Sequence, residues 1–372
     1  MKKILIFNTN LAIGGAEKVL LNFTKELSKK YKITILLFFY EGELINEIPN
    51  NVDVRYIFKS PSKLKRRIIY KVIKFIPGKL LYNMFRIDRN YDLEIAFLEG
   101  IPVKILSGSR QKKIAWIHTN LNEYHRTANV FTTINNESKS LKKYQNIIAV
   151  SDEVKSGLIN KFKKIDNDQI TVVENFVDID EIVNKSNEYL KDNIITNNNI
   201  TFCSVGRLVK EKGYDRLIRI HKKLLDEGFN HNIIIVGGGY LKEELKEKIN
   251  EYNIEKSFKL IGADMNPYRY IKYSDVYINC SYVEGYPVSL IEALALKKAI
   301  IAVDTAGVKK ILNNGEYGKI INNTDLEIYY EMKNIISNPQ YLDILNKNAC
   351  LGYDSIDNSK IVEKIMNIID KL

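Results

Sequence analysis

Three cysteines in 372 residues, Cys203, Cys280 and Cys350, are too few and too widely spaced to staple a fold. The first two lie in apolar, strand-like runs (ITFCSVG and VYINCSY), as buried thiols of a reducing compartment do. The four histidines, His118, His125, His221 and His231, form no pair at zinc-site spacing to a cysteine or acidic partner, so a structural metal is not expected. No apolar run approaches the roughly 18–20 residues that a membrane-crossing helix needs. The opening MKKILIFNTN imitates a signal peptide, but Asn8, Thr9 and Asn10 cut its apolar run short. It reads as a first β-strand in a cytoplasmic protein. Low-complexity tracts are missing as well.

Acid is missing from one long stretch. Lys59 to Ile87 carries nine Lys/Arg, at 59, 63, 65, 66, 67, 71, 74, 79 and 86, and no Asp or Glu, in a chain of net charge +11. Within it Ile69, Val72, Ile73 and Ile76 recur at helical spacing until Pro77-Gly78. Such a segment is either a solvated basic helix packed on its own domain or an amphipathic helix resting on anionic lipid. Each Lys/Arg near a lipid surface contributes on the order of 1 kcal/mol, so partial engagement suffices for reversible attachment at residues 59–87. Nucleic acid is not expected, because no recognition motif accompanies the charge.

With 45% hydrophobic and 27% charged residues the chain has the composition of a globular protein, long enough for two domains. Short β-like runs alternate with amphipathic helical patterns throughout. The first half contains KILIFN, KITILLFF, VDVRYIF, LEIAFL, KIAWIH, NIIAVS and ITVVEN; the second contains ITFCSVG, NIIIVGG, FKLIG, VYINCS and AIIAVD. This alternation predicts an α/β fold of parallel sheets covered by helices, with ligands beyond the carboxyl ends of the strands. The expected organisation is an N-terminal Rossmann-like domain over 1–180, a polar, asparagine-rich linker over 181–198 and a C-terminal Rossmann-like domain over 199–352. A last amphipathic helix over 353–372 is expected to pack back toward the N-terminal domain.

Two loops at strand ends invite an anionic ligand. NTNLAIGGAEKVLLNF runs from a strand through Gly14-Gly15 into a helix, where glycines admit a phosphate and helix amides meet it; the same pattern also makes an ordinary tight turn. In SVGRLVKEKGYDRLI, Arg207 and Lys212 precede the glycine of a helix start and are either a diphosphate clamp or plain surface charges. The stretch SYVEGYPVSLIEALA adds Glu284 and, seven residues between, Glu292 in the middle of an apolar helix. On one helix the two would lie about 12 Å apart along the axis, too far for the roughly 5–9.5 Å of a glycosidase pair. Pro287 instead predicts a helix start there, with Glu284 in the loop before it and Glu292 facing inward. Taken singly, dipole compensation would explain Glu284, and a partner such as Lys297 or Lys298 would explain Glu292.

Together these elements resemble the nucleotide-sugar glycosyltransferases of family 4. The resemblance rests on SYVEGYPVSLIEA, VGRLVKEKGYDRLI, IIIVGGG, GGAEKVL, AWIHTN and VVENFVD, and runs over nearly the whole chain. It implies a GT-B fold, two Rossmann-like domains facing across a cleft, and transfer with retention of anomeric configuration. By that resemblance Glu284 holds hydroxyls of the donor sugar, Glu292 accepts from the ribose, and Arg207 with Lys212 binds the diphosphate. Gly15, with Gly14, would meet the phosphate side and the acceptor; Gly237 lies in the donor loop. His118 would stand near the sugar's outer hydroxyls, and Val288, Ser289 and Leu290 would offer backbone amides. No cofactor or metal is expected, although Asp178-Ile179-Asp180 has a metal-like spacing at the start of the linker. By that resemblance the expected partners are a UDP-sugar and a saccharide acceptor, lipid-linked by family habit, at the inner face of the cell membrane. A nucleotide-sugar epimerase and a non-catalytic binding subunit share the architecture; the intact set of four charged residues speaks against the second. Lys310, where the family usually has glutamate, and Leu296-Lys297-Lys298, where it usually has Gly-x-Pro, depart from the pattern and leave the nucleotide open.

Overall fold

The computed structural model describes residues 1–88, 90–190, 194 and 198–372. The chain forms two units, Met1–Phe176 together with Asn358–Leu372, and Val177–Asp357. Each is built on one parallel sheet.

In the first unit the strands are β1 (Lys3–Asn8), β2 (Lys32–Tyr40), β3 (Asp53–Lys59), β4 (Leu93–Ala96), β5 (Lys112–Ile117), β6 (Asn146–Ala149) and β7 (Ile170–Val172). Their order across the sheet is β3-β2-β1-β4-β5-β6-β7, parallel throughout. The second unit has β8 (Thr201–Val205), β9 (Asn232–Val236), β10 (Phe258–Gly262), β11 (Val276–Asn279), β12 (Ala299–Val303) and β13 (Lys319–Ile321), ordered β10-β9-β8-β11-β12-β13 and again parallel. In both sheets the strand order reverses beside the first strand, between β1 and β4 and between β8 and β11. That reversal opens the helices on either side and leaves a crevice at the carboxyl ends, the place where doubly wound sheets take ligands.

The sequence makes these sheets because a strand covered on both faces must be apolar on both. All five residues of β9 and of β12 are buried. The edge strand β3 is mostly exposed and carries Asp53, Arg55 and Lys59, charges that discourage pairing with another chain. Helix Tyr214–Asp226 shows how a covering helix is specified: Leu217, Ile218 and Leu224 recur at helical spacing and share one core with Phe202, Ile233 and Ile235. Each such side chain contributes about 1.5–3 kcal/mol by leaving water.

Two places differ from expectation. The stretch 181–198 does not start as a free linker: the chain passes to the second unit at Val177, and Ile179–Ser186 is a helix with Ile182 and Ser186 buried. Its polar composition hides the 3–4 spacing of Ile179, Ile182 and Val183; residues 191–193 and 195–197 lie outside the described residues. Helix Lys63–Phe75 turns Ile69 and Ile73 inward but leaves Val72 outward and half exposed. The last helix, Asn358–Lys371, joins the first unit, with Ile365 and Ile369 buried, Lys2 Nζ donating to the Ile369 carbonyl (2.8 Å) and the Tyr31 hydroxyl to Asp370 (2.7 Å). No helix among the described residues is long and apolar enough to cross a membrane.

Candidate active site

In the second unit the loops after β8 and β11, neighbours at the order reversal, carry the charged set. The loop after β8 presents Gly206, Arg207 and Lys212; the loop after β11 presents Ser281 and Glu284. Lys212 Nζ lies 2.6 Å from Glu284 Oε1, the Ser281 hydroxyl donates to the same oxygen at 2.6 Å, and Asn279 Nδ2 reaches it at 3.4 Å. All three bonds fall on Oε1, so the carboxylate is oriented by one oxygen. With both side chains largely withdrawn from solvent, the Lys–Glu pair is a charge-assisted bond stronger than a surface ion pair. Arg207, in the same loop after β8 as Lys212, is exposed.

The loop is itself held from behind by a residue that sequence reading did not single out. Arg216, fully buried, donates from Nε to the Cys280 carbonyl (2.9 Å) and from Nη2 to the carbonyls of Cys280 (2.5 Å) and Ser281 (3.2 Å), while its guanidinium lies 4.2 Å from the Tyr282 ring. Gly213 passes under the same carbonyl with φ +68°, and a Cβ there would stand 2.2 Å from Cys280 O. Gly237, after β9, is required for a similar reason: a Cβ would sit 1.9 Å from the Gly206 carbonyl.

Helix Val288–Ala295 begins just past Glu284, with Pro287 at the capping position before it. Leu290 donates its amide to the Pro287 carbonyl (3.0 Å), which leaves the amides of Val288 and Ser289, ahead of the helix's own ladder, pointing out of the N-terminus. Every residue of this helix except Ser289 is buried, Glu292 included. Tyr268 is a neighbour of that carboxylate: burial, and then Glu292, push the phenol pKa well up. Lys297 lies over the Tyr353 ring (4.3 Å), and Lys298 is nearest electrostatically to Asp275. Asp178, of the Asp-x-Asp, caps helix Ile179–Ser186 by accepting from the Glu181 amide (3.0 Å).

In the first unit, Gly14 and Gly15 stand where expected, at the start of helix Gly15–Leu27 after β1. His118 follows β5 and is buried between rings, 4.9 Å from Phe97 and stacked on Trp116. Neither ring nitrogen completes a hydrogen bond, and burial lowers its pKa to about 4, so the ring is neutral at physiological pH. Beside it the sequence reading missed Glu99, after β4. This buried carboxylate accepts from the His118 amide (3.0 Å) and lies 3.5 Å from Arg126. Burial works against its charge, but the Arg126 guanidinium and the hydrogen bond from the His118 amide help keep its pKa below the usual carboxylate value. β4 and β5 are adjacent; only the sheet order brings Glu99 and His118 together.

The two remaining buried histidines, away from these loops, make a chain. His231 Nδ1 bonds the Phe229 carbonyl (2.8 Å), His231 Nε2 meets His221 Nδ1 (2.7 Å), and His221 Nε2 meets the Ser257 hydroxyl (2.8 Å). The carbonyl fixes a proton on His231 Nδ1, so His231 Nε2 accepts from His221 Nδ1, and His221 Nε2 faces the Ser257 hydroxyl, which also reaches the Ile254 carbonyl (3.4 Å). Burial lowers the His231 pKa to about 4 and His221 well below its usual value. Unfolded histidines, titrating near 6.5, therefore bind protons the fold refuses, and stability is lost as pH falls from about 6.5 toward 4. For His231 alone the full loss is on the order of 3 kcal/mol. The urea midpoint should fall between about pH 7 and pH 5, before most carboxylates titrate; a flat midpoint would refute the neutral chain.

Two doubly wound parallel sheets, one with the Lys212–Glu284 pair in the loops at its order reversal, form a fold of the GT-B class. The chain belongs to the family 4 glycosyltransferases. Residues 13–181 match the model described as Glycosyltransferase Family 4 and residues 185–350 the one described as Glycosyl transferases group 1. An uncharacterised glycosyltransferase of Methanocaldococcus jannaschii is 30% identical over 308 residues, 79% of this chain and 73% of its own. A Campylobacter jejuni N-acetylgalactosamine-N,N'-diacetylbacillosaminyl-diphospho-undecaprenol 4-alpha-N-acetylgalactosaminyltransferase is 26% identical over 99% of this chain and all of its own. Among solved structures, Anabaena HepE in complex with UDP and glucose superposes with a TM-score of 0.79 over the full length of both chains at 18% identity.

Proposed function

We propose that the protein is a retaining, metal-independent glycosyltransferase that moves a hexose from a UDP-sugar to a lipid-linked saccharide in cell-surface polysaccharide synthesis. The observation that carries this reading is the Lys212–Glu284 pair, fixed by Ser281 and Asn279, with Arg207 in the same loop as Lys212 and helix Val288–Ala295 starting just past Glu284. In transfer, the bond between the anomeric carbon and the phosphate oxygen breaks and its electron pair stays on the diphosphate. Arg207, Lys212 and the amides of Val288 and Ser289 would stabilise that charge in place of water. Glu284 would orient the donor's hydroxyls with Oε2 while Oε1 stays tied to the protein. The acceptor hydroxyl attacks the same face, giving up its proton to the departing phosphate. Glu292 would take the ribose hydroxyls in exchange for part of its contact with Tyr268. Gly14, Gly15, Gly237 and His118 keep the roles that the resemblance gives them. The relatives that act on diphospho-undecaprenol saccharides, and one named as a UDP-Gal-dependent galactosyltransferase, support both the acceptor class and the nucleotide.

The test is release of nucleoside diphosphate from UDP-, GDP- and ADP-sugars, with and without a lipid extract and with a chelator present throughout. Release from a UDP-sugar should rise with lipid and fall about 10²–10³-fold in Arg207→Ala, the usual loss for one preorganised charge-stabilising group. No release from any donor would overturn the reading.

A further inference from the structure

Helix Lys63–Phe75 has two apolar faces, and only one of them is used by the protein. Ile69, Tyr70 and Ile73 turn inward, whereas Leu64, Ile68, Val72 and Phe75 are exposed, from 49% at Val72 to 75% at Phe75. At about 100° per residue those four fall within an arc of about 80° on the side opposite the inward set. Lys63, Arg67 and Lys71 flank the stripe on one side and Lys65 on the other. An apolar stripe bordered by cations is the form of a helix lying in a lipid–water interface.

The helix is also charged against its own dipole. Its first turn holds Lys63 and Lys65 with no acidic residue, although the N-terminal end of a helix favours anions. That choice is unfavourable for the protein alone and favourable against an anionic surface. Meanwhile the helix is firmly tied down from the inside. Ser62 caps it, and the buried Lys104 donates to the carbonyls of Ile73 and Lys74 at its far end, both at 2.8 Å. Arg66, the one cation of the first turns that faces inward, forms a bidentate pair with Glu41 (2.6 and 2.5 Å). Glu41 in turn accepts from Asn10 (3.2 Å), on the loop that leads to Gly14-Gly15. The outward stripe is therefore not waiting for the body to cover it.

We propose that the outward face of helix Lys63–Phe75 docks on an anionic lipid bilayer, with Leu64, Ile68, Val72 and Phe75 entering the interface and the flanking lysines and arginine meeting the headgroups. Arg66 takes no part in the docking; through Glu41 and Asn10 it fixes the docked helix to the Gly14-Gly15 loop, so the loop is set at a defined place relative to the bilayer. The proposal rests on the lipid-linked acceptor reading for its purpose only, and is tested without donor or acceptor.

The full chain would be sedimented with phosphatidylcholine vesicles with and without phosphatidylglycerol at physiological salt. Pelleting is expected with the anionic vesicles alone. Joint replacement of Lys63, Lys65, Arg67 and Lys71 by Gln should weaken it by roughly tenfold or more, given the contribution of each cation. The pair Ile68→Ser and Phe75→Ser should weaken it comparably. Joint replacement of Lys242, Lys246, Lys256 and Lys347 by Gln, equal in charge but elsewhere, should leave it unchanged. Arg66→Gln should lower the melting temperature and spare vesicle binding, the reverse of the outward variants. No pelleting by the parent, equal loss in the control variant, or binding indifferent to the serine pair would each overturn the proposal. So would a self-associated parent that the serine pair makes monomeric, which would assign the stripe to a second copy. UDP release from a soluble acceptor assay, measured on the same variants, reads the transferase proposal separately: docking can fail with release intact, and the reverse.

Discussion

Glu284→Gln should lower transfer by about 10²–10³-fold and leave UDP affinity within a few fold. Glutamine keeps the shape of the side chain, and its carbonyl can still accept from Ser281 and Asn279, which now share Oε1 with Lys212. What is lost is the charge that balances Lys212 and the second acceptor oxygen offered to the donor sugar. The second loss spares the nucleotide and the first leaves Lys212 freer to hold the diphosphate, so the effect belongs in kcat at saturating donor. Alanine is the poorer variant, because it strands a half-buried ammonium and mixes a stability loss of about 1–3 kcal/mol into the result. Turnover by the glutamine variant within tenfold of the parent would remove Glu284 from the chemistry.

Gly213→Ala should be strongly damaging to the second unit. The residue sits at φ +68°, and the new methyl would meet the Cys280 carbonyl at 2.2 Å. Left-handed backbone costs a non-glycine residue on the order of 1 kcal/mol. The clash is the larger effect, since that carbonyl is already pinned by Arg216 and cannot retreat without breaking two hydrogen bonds. A total loss of about 3 kcal/mol or more is expected, with donor binding impaired because Lys212 and Glu284 lie on the two segments forced apart. An alanine variant that melts at the parent temperature and binds UDP normally would show that the close approach relaxes freely.

Architecture was largely legible from periodicity. Twelve of the apolar runs became strands because a doubly covered parallel strand has to be apolar on both faces. Lys319–Ile321 was missed because three residues at the sheet's edge, only one of them buried, give no pattern. The glutamates and cations of the second unit were legible for a different reason: they crowd into two short loops, each next to a glycine and a helix start. Glu99 was not, because FLEGIP holds one acid with no local partner and its neighbours His118 and Arg126 come from other loops. Arg216 reads in YDRLI as an ordinary surface charge; its burial is dictated by carbonyls 64 and 65 residues away. Val72 fitted the inward spacing equally well, and only the second apolar stripe of its helix shows why it faces out. Contacts of that range leave no periodicity to read.

The return of the last helix to the first unit has a practical consequence for anyone who would watch the protein move. Residues 2 and 369 touch, so the second unit is in effect a guest sequence inserted into a closed host, attached at both of its ends. Dyes or spin labels placed near residues 2 and 369 would both ride on the host. They would report nothing of any motion between host and guest, however large; a useful pair needs one label between Val177 and Asp357.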